Sequence, residues 1–286
     1  PILHTTNGAK AEALLAPRHE RVDASEAAEW SGTLDAFGCT FILTPTWSLR
    51  LGADDNLLLR TFIRHDCALL LQSEMQTRRT SDSWLLDVAP ALCPDACRVL
   101  EADNAGGSSL ISEAMTMELL AVAFGARLLK TEMELAYFPS ESAMTDLAVE
   151  IDGVPLGVSV TRAVSRPSSP LSVEAAMRLL DKKMSGILKS TASCYNVSWQ
   201  KQILHIWARS SRVARVVEEA YSLLEPALKA DTLCIVTRCS SLQEMFTEKT
   251  KARPSIPKKL KGVKDERHCR ILAESDPTRT AIDNIM

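Results

Sequence analysis

Residues 146–162, DLAVEIDGVPLGVSVTR, constrain the fold more than any other stretch, because they read as one β-hairpin whose turn sets its register. Leu147, Val149 and Ile151 alternate with Asp146, Ala148, Glu150 and Asp152, the period of a half-buried strand. Asp152-Gly153 favours a two-residue loop, since both residues tolerate positive φ. With that loop, Ile151 faces Val154, Ala148 faces Gly157 and Asp146 faces Ser159. The expectation is a surface carrying Asp146, Glu150, Ser159 and Thr161, unpacked, with the valines on the opposite side.

The rest of the second half supplies layers for this hairpin. Ser112-Glu113 opens a helix (SEAMTMELLAVAFG), with Ser112 as N-cap and Gly125 as its stop. Arg127–Phe138 alternates as a strand, Val173–Ser190 is a helix with a basic face, and Gln202–Ala208 is a short apolar strand. Val213–Leu228 follows as a helix and Thr232–Thr237 as another apolar strand. The order is helix, three strands, helix, strand, helix, strand, which implies an α/β layer with a mixed sheet.

The first hundred residues carry strand-like runs: LDAFGCTFIL, TWSLRL, NLLLRTFIRH, CALLLQSEM and SWLLDV. An alternative is a buried helix over 57–75, because short apolar runs do not decide between the two. Three segments are expected: a strand-rich region of unknown role over 1–105, an α/β core over 106–248, and a basic tail over 249–286. Residues 249–270 hold nine Lys or Arg against two acids, although the whole chain is at −3. Lys258, Lys259 and Lys261 are the tail's candidates for polyanion binding, against the alternative of a solvated tail.

Hydrophobic residues at 46 % and charged residues at 24 % fit a globular protein, and no apolar run is long enough to span a bilayer. The chain opens on Pro1, which leaves a targeting segment open. Eight cysteines are scattered, several within apolar runs, and read as reduced thiols of an intracellular protein; nucleus, cytoplasm and organelle are not distinguished. Cys93-Pro-Asp-Ala-Cys97 and His268-Cys269 are half-sites for zinc at most. No glycine-rich phosphate loop or nucleophile elbow is present, so kinase, hydrolase and dehydrogenase classes have no support. His205, between Leu204 and Ile206, reads as a satisfied core histidine, and Trp199 and Trp207 as packing residues.

Taken with the acids, this order of elements resembles the PD-(D/E)XK (restriction-endonuclease-like) nuclease superfamily over about 110–240. Glu113 lies on the first helix, Asp146 opens the second strand, and Gly157-Val158-Ser159-Val160-Thr161 occupies the third. The resemblance implies a restriction-endonuclease-like core, a Mg²⁺ cofactor held by carboxylates, and nucleic acid, DNA or RNA, as partner. Asp146, Glu150 and Glu113 are then the metal ligands, and Lys182, or Lys183 beside it, supplies a lysine migrated from the third strand to the next helix. Arg209, Arg212 and Arg215 are the candidate phosphate contacts within the core. The family carries Glu-X-Lys on its third strand, whereas this chain has Ser159-Val160-Thr161, and hydroxyls replace neither an anionic ligand nor an ammonium. Two functions stand: a divergent Mg²⁺-dependent phosphodiesterase, or an inactive pseudo-nuclease acting as a structural or protein-interaction subunit of a larger complex. For Asp146 and Glu150 the bland alternative is a solvated strand face; for Glu113 and Glu118 it is capping and surface acids.

Overall fold

The computed structural model describes residues 32–36, 39–44, 46–65, 67–78, 87–103, 109–164 and 170–246. Its strands are β1 (Gly32–Ala36), β2 (Cys39–Leu43), β3 (Trp47–Gly52), β4 (Leu69–Thr77), β5 (Arg127–Thr131), β6 (Leu147–Ile151), β7 (Val154–Ala163), β8 (Gln202–Ala208) and β9 (Thr232–Arg238). The helices are α1 (Asp55–Arg64), α2 (Pro94–Glu101), α3 (Leu110–Phe124), α4 (Val173–Ser193), α5 (Ser211–Leu223) and the short α6 (Pro226–Lys229). No helix among the described residues is long and apolar enough to cross a membrane.

The nine strands of the described residues form one mixed sheet in the order β1-β2-β3-β4-β9-β8-β7-β6-β5. The chain is therefore α/β. β7, β8 and β9, joined through α4 and α5, run parallel, whereas β1 to β4 and β5 to β7 pair antiparallel with their sequence neighbours, β3 with β4 even across α1. β4 also pairs parallel with β9, so the strand-rich first part continues the same sheet and position 105 marks no break in it.

The hairpin forms as its residues dictate. Asp152 and Gly153 take φ of 51° and 77°, and Ile151 pairs with Val154 and Ala148 with Gly157. The unpacked face does not follow. One hydrophobic cluster joins Leu147, Val149, Ile151, Val158 and Val160 to α3, while a second joins Ala163, Leu204, Ile206 and Val236 to α4 and α5 on the sheet's other face. Ser159 is buried between strands whose two sides are both covered.

Two further expectations are corrected. The run NLLLRTFIRH is helix α1 rather than a strand: Leu59 and Phe62, three apart, are its buried residues. The Lys201 ammonium donates to Phe62 O at 2.7 Å and also to His65 O, closing the helix with a cation at its negative end. Helix α3 starts at Leu110, two residues before the expected cap, and Ser112 instead donates from inside it to Ser109 O at 2.6 Å. Gly125, left-handed at φ 67°, ends it as expected. Because α3 packs against both the sheet and α2, its acids are not surface residues, and Glu113 and Glu118 are both buried.

Candidate functional site

The β6–β7 ladder ends at the Leu147–Val158 pair. Two residues further along β7, the peptide of Val160 loses its strand partner, and side chains take over its two polar groups. Its N–H donates to Asp146 Oδ2 at 2.6 Å, and its carbonyl accepts from Lys183 Nζ at 3.3 Å. Asp146 holds this position because it immediately precedes β6; Lys183 reaches it from the half-buried side of α4. Glu113, in the first turn of α3, completes the group from the sheet's α3 face.

Burial pushes the Glu113 carboxyl up to about 8, and the neighbouring Asp146 charge adds to this; the Ser109 hydroxyl and Lys183 act the other way. Burial likewise raises Asp146, to about 6, opposed by Lys183 and the Val160 N–H. Glu132, in the 3₁₀ turn Glu132–Glu134 after β5, pushes both upward. Burial thus favours the protonated carboxyl at both residues, more strongly at Glu113 than at Asp146. Coupled carboxyls with separated proton affinities suit both acid–base work and capture of a cation.

The other candidate residues lie elsewhere. Glu150 pairs with Arg127 across the β5–β6 register. Lys182 is exposed, one position round the helix from the lysine that enters the site. Arg209, Arg212 and Arg215 are all exposed around the start of α5; Arg209 donates to Gln243 Oε1 at 2.5 Å and Arg215 to its own helix at Ser211 O. Lys258, Lys259, Lys261 and the His268-Cys269 pair lie outside the described residues. Cys93 is the buried N-cap of α2, its Sγ accepting from Ala96 N–H, and burial pushes its thiol up, which opposes thiolate ligation of zinc.

His205 is fully buried, with Nδ1 2.7 Å from Thr116 Oγ1 and Nε2 2.7 Å from Thr237 Oγ1. Burial lowers it to about 3, so it is neutral and structural, as its apolar setting implied. Trp207 packs beside it and donates to Ser112 O at 3.1 Å. Sequence reasoning missed Glu132, whose place after a strand looks like ordinary alternation, and set Lys183 second to Lys182.

Among the described residues no group of three or more His, Cys, Asp or Glu is arranged to hold a metal ion. Among the described residues, Asp146 and Glu113 are a buried carboxylate pair that act on each other. No family model and no solved structure matches the chain. The AAC-rich mRNA clone AAC4 protein of Dictyostelium discoideum is 36 % identical over 156 residues, covering 52 % of this chain and 23 % of that protein. The chain thus spans about a quarter of the length of the curated relative it matches.

Proposed function

We propose that this chain is a nucleic-acid binding or processing protein with a nuclease-like core of the PD-(D/E)XK type, acting as a divergent Mg²⁺-dependent phosphodiesterase. The observation that carries the reading is the meeting of Asp146, Glu113 and Lys183 at Val160, where the β6–β7 ladder opens. The order α3, β5–β6–β7 antiparallel, α4, then β8 parallel to β7 supports it.

The donor set fits magnesium, a hard ion that retains most of its waters and takes one or two carboxylates together with substrate phosphate. Asp146 and Glu113 would hold it, and once bound it supplies a lowered water pKa and charge compensation for an in-line displacement. Lys183, anchored on the Val160 carbonyl, presents a fixed positive charge to a phosphate oxygen. The Val160 N–H holds Asp146 through Oδ2, which would fix this carboxylate in place as a ligand. Glu113 must release its proton to join it, which ties ion capture to pH.

The pseudo-nuclease reading, a structural or protein-interaction subunit, draws on one observation: β7 brings no carboxylate, because Ser159 stands buried in its place. Thermal melting with millimolar Mg²⁺ or Mn²⁺ separates the two. The enzyme reading expects a rise in Tm that Asp146→Ala removes, with cleavage of a DNA or RNA substrate. No rise and no cleavage of single- or double-stranded DNA or RNA refutes it.

A further inference from the structure

Beside the carboxylate site stands an aromatic pair that no packing explains. Phe138 is 80 % exposed and Tyr195 70 % exposed. Both are fixed by backbone: Tyr137 and Cys194 form an antiparallel bridge, Phe138 N–H donates to Ser193 O at 2.9 Å, and Tyr195 N–H donates to Ala136 O at 3.1 Å. Asn196 latches the segment, accepting from Ala136 N–H at 3.0 Å and donating to Glu134 O at 2.9 Å. Alternation about the bridge turns Tyr137 and Cys194 inward and sends Phe138 and Tyr195 out on one side. The Tyr137 hydroxyl accepts from Thr145 N–H at 2.9 Å, one residue from Asp146, so the segment that carries the pair packs beside the site.

A row of cations on α4 leads to the same segment, with Glu174 and Asp181 exposed on the same face of the helix. Arg178, Lys182 and Lys189 are exposed on α4 at helical spacing, on the side opposite Ala176, Leu180, Met184 and Ile187. They span about 16 Å of helix, a reach of several nucleotides rather than one phosphate. The helix ends at Ser193, two residues before Tyr195.

We infer that the site takes a single-stranded polynucleotide, its unpaired bases stacked on Phe138 and Tyr195 and its phosphates following Lys189, Lys182 and Arg178. This rests on the nuclease-like reading and narrows its substrate. Rigid exposed aromatics beside a cationic track are what single strands use, because every unpaired base offers a π-face. A duplex keeps those faces stacked inside and gives the pair nothing to hold.

The test is fluorescence anisotropy on the full chain in EDTA with labelled dT20, U20 and a 20-base-pair DNA duplex. Single strands should bind more tightly than duplex, and Phe138→Ala with Tyr195→Ala should weaken them about tenfold or more. Phe138→Leu with Tyr195→Leu, which keeps apolar surface without a π-face, should weaken them as well. Arg178→Gln, Lys182→Gln and Lys189→Gln together should lower the slope of log K against log salt by about 2. Preference between dT20 and U20 assigns DNA or RNA, either supporting the inference. Duplex bound as well as single strands, or aromatic variants without effect, overturns the strand assignment and leaves the nuclease-like reading standing. Binding of none of the three overturns both.

Discussion

Replacing Glu113 by Gln should stabilise the protein, and by an amount that grows with pH. An unfolded glutamate ionises near 4.5, while Glu113 in the fold keeps its proton up to about 8. Below 4.5 both states are protonated and the residue costs nothing. Between 4.5 and 8 the folded state binds more protons than the unfolded one, so stability falls as pH rises, and above 8 the loss is complete. At about 1.36 kcal/mol per pH unit, the penalty is on the order of 3 kcal/mol at pH 7 and 5 kcal/mol beyond pH 8. That is a large share of the ~5–15 kcal/mol that holds a domain folded. Glutamine keeps the shape and removes the titration. Urea unfolding of the wild type and Glu113→Gln, from pH 4.5 to 8.5, should give midpoints that coincide at the acid end and separate steadily upward. Asp146→Asn should shorten the window from its alkaline end, because the Asp146 charge is the second cause of the shift. Parallel curves for the wild type and Glu113→Gln refute the argument that a buried carboxyl is held protonated at this site.

Two substitutions test the scaffold around it. A Cβ on Gly157 would stand 2.7 Å from Gln202 Cδ, and Gln202 cannot yield, being buried and tied to Ile187 O, Ser190 Oγ and Thr191 Oγ1. Gly157→Ala should therefore cost about 1–3 kcal/mol in denaturant unfolding, and an unchanged midpoint counts against this packing. Lys201→Met keeps the apolar stem over Phe62 but strips the donor from the α1 terminus. A loss of about 1–3 kcal/mol is expected, together with faster amide exchange in α1 than in β8.

The hairpin was legible because its causes are local: Asp152-Gly153 sets the turn, and alternation in Leu147, Val149 and Ile151 sets the register. The order of elements from α3 to β9 was legible for the same reason, although the strand expected over Arg127–Phe138 ends at Thr131 and the helix expected over Val213–Leu228 breaks after Leu223. The first half was harder. NLLLRTFIRH has too few residues to separate a strand from a helix, and it became α1 once Leu59 and Phe62 found the core and Lys201, far along the chain, capped its end. That β4 joins β9 has no local signature at all.

The carboxylate site divides in the same way. Asp146 and Glu113 were readable as acids at telling places, one opening a strand and one opening a helix. Their meeting was not. Burial of α3 on the sheet and under α2 moved Glu113 from a capping acid to a proton-holding one, and the pitch of α4 chose Lys183 over Lys182 by a single residue. Arg127 took Glu150 out of the group through cross-strand pairing. By itself the sequence determined which short-range elements form and which acids they carry. The tertiary structure decided which charges share one low-dielectric space, because burial and Coulomb interactions depend on distances between residues remote in the chain.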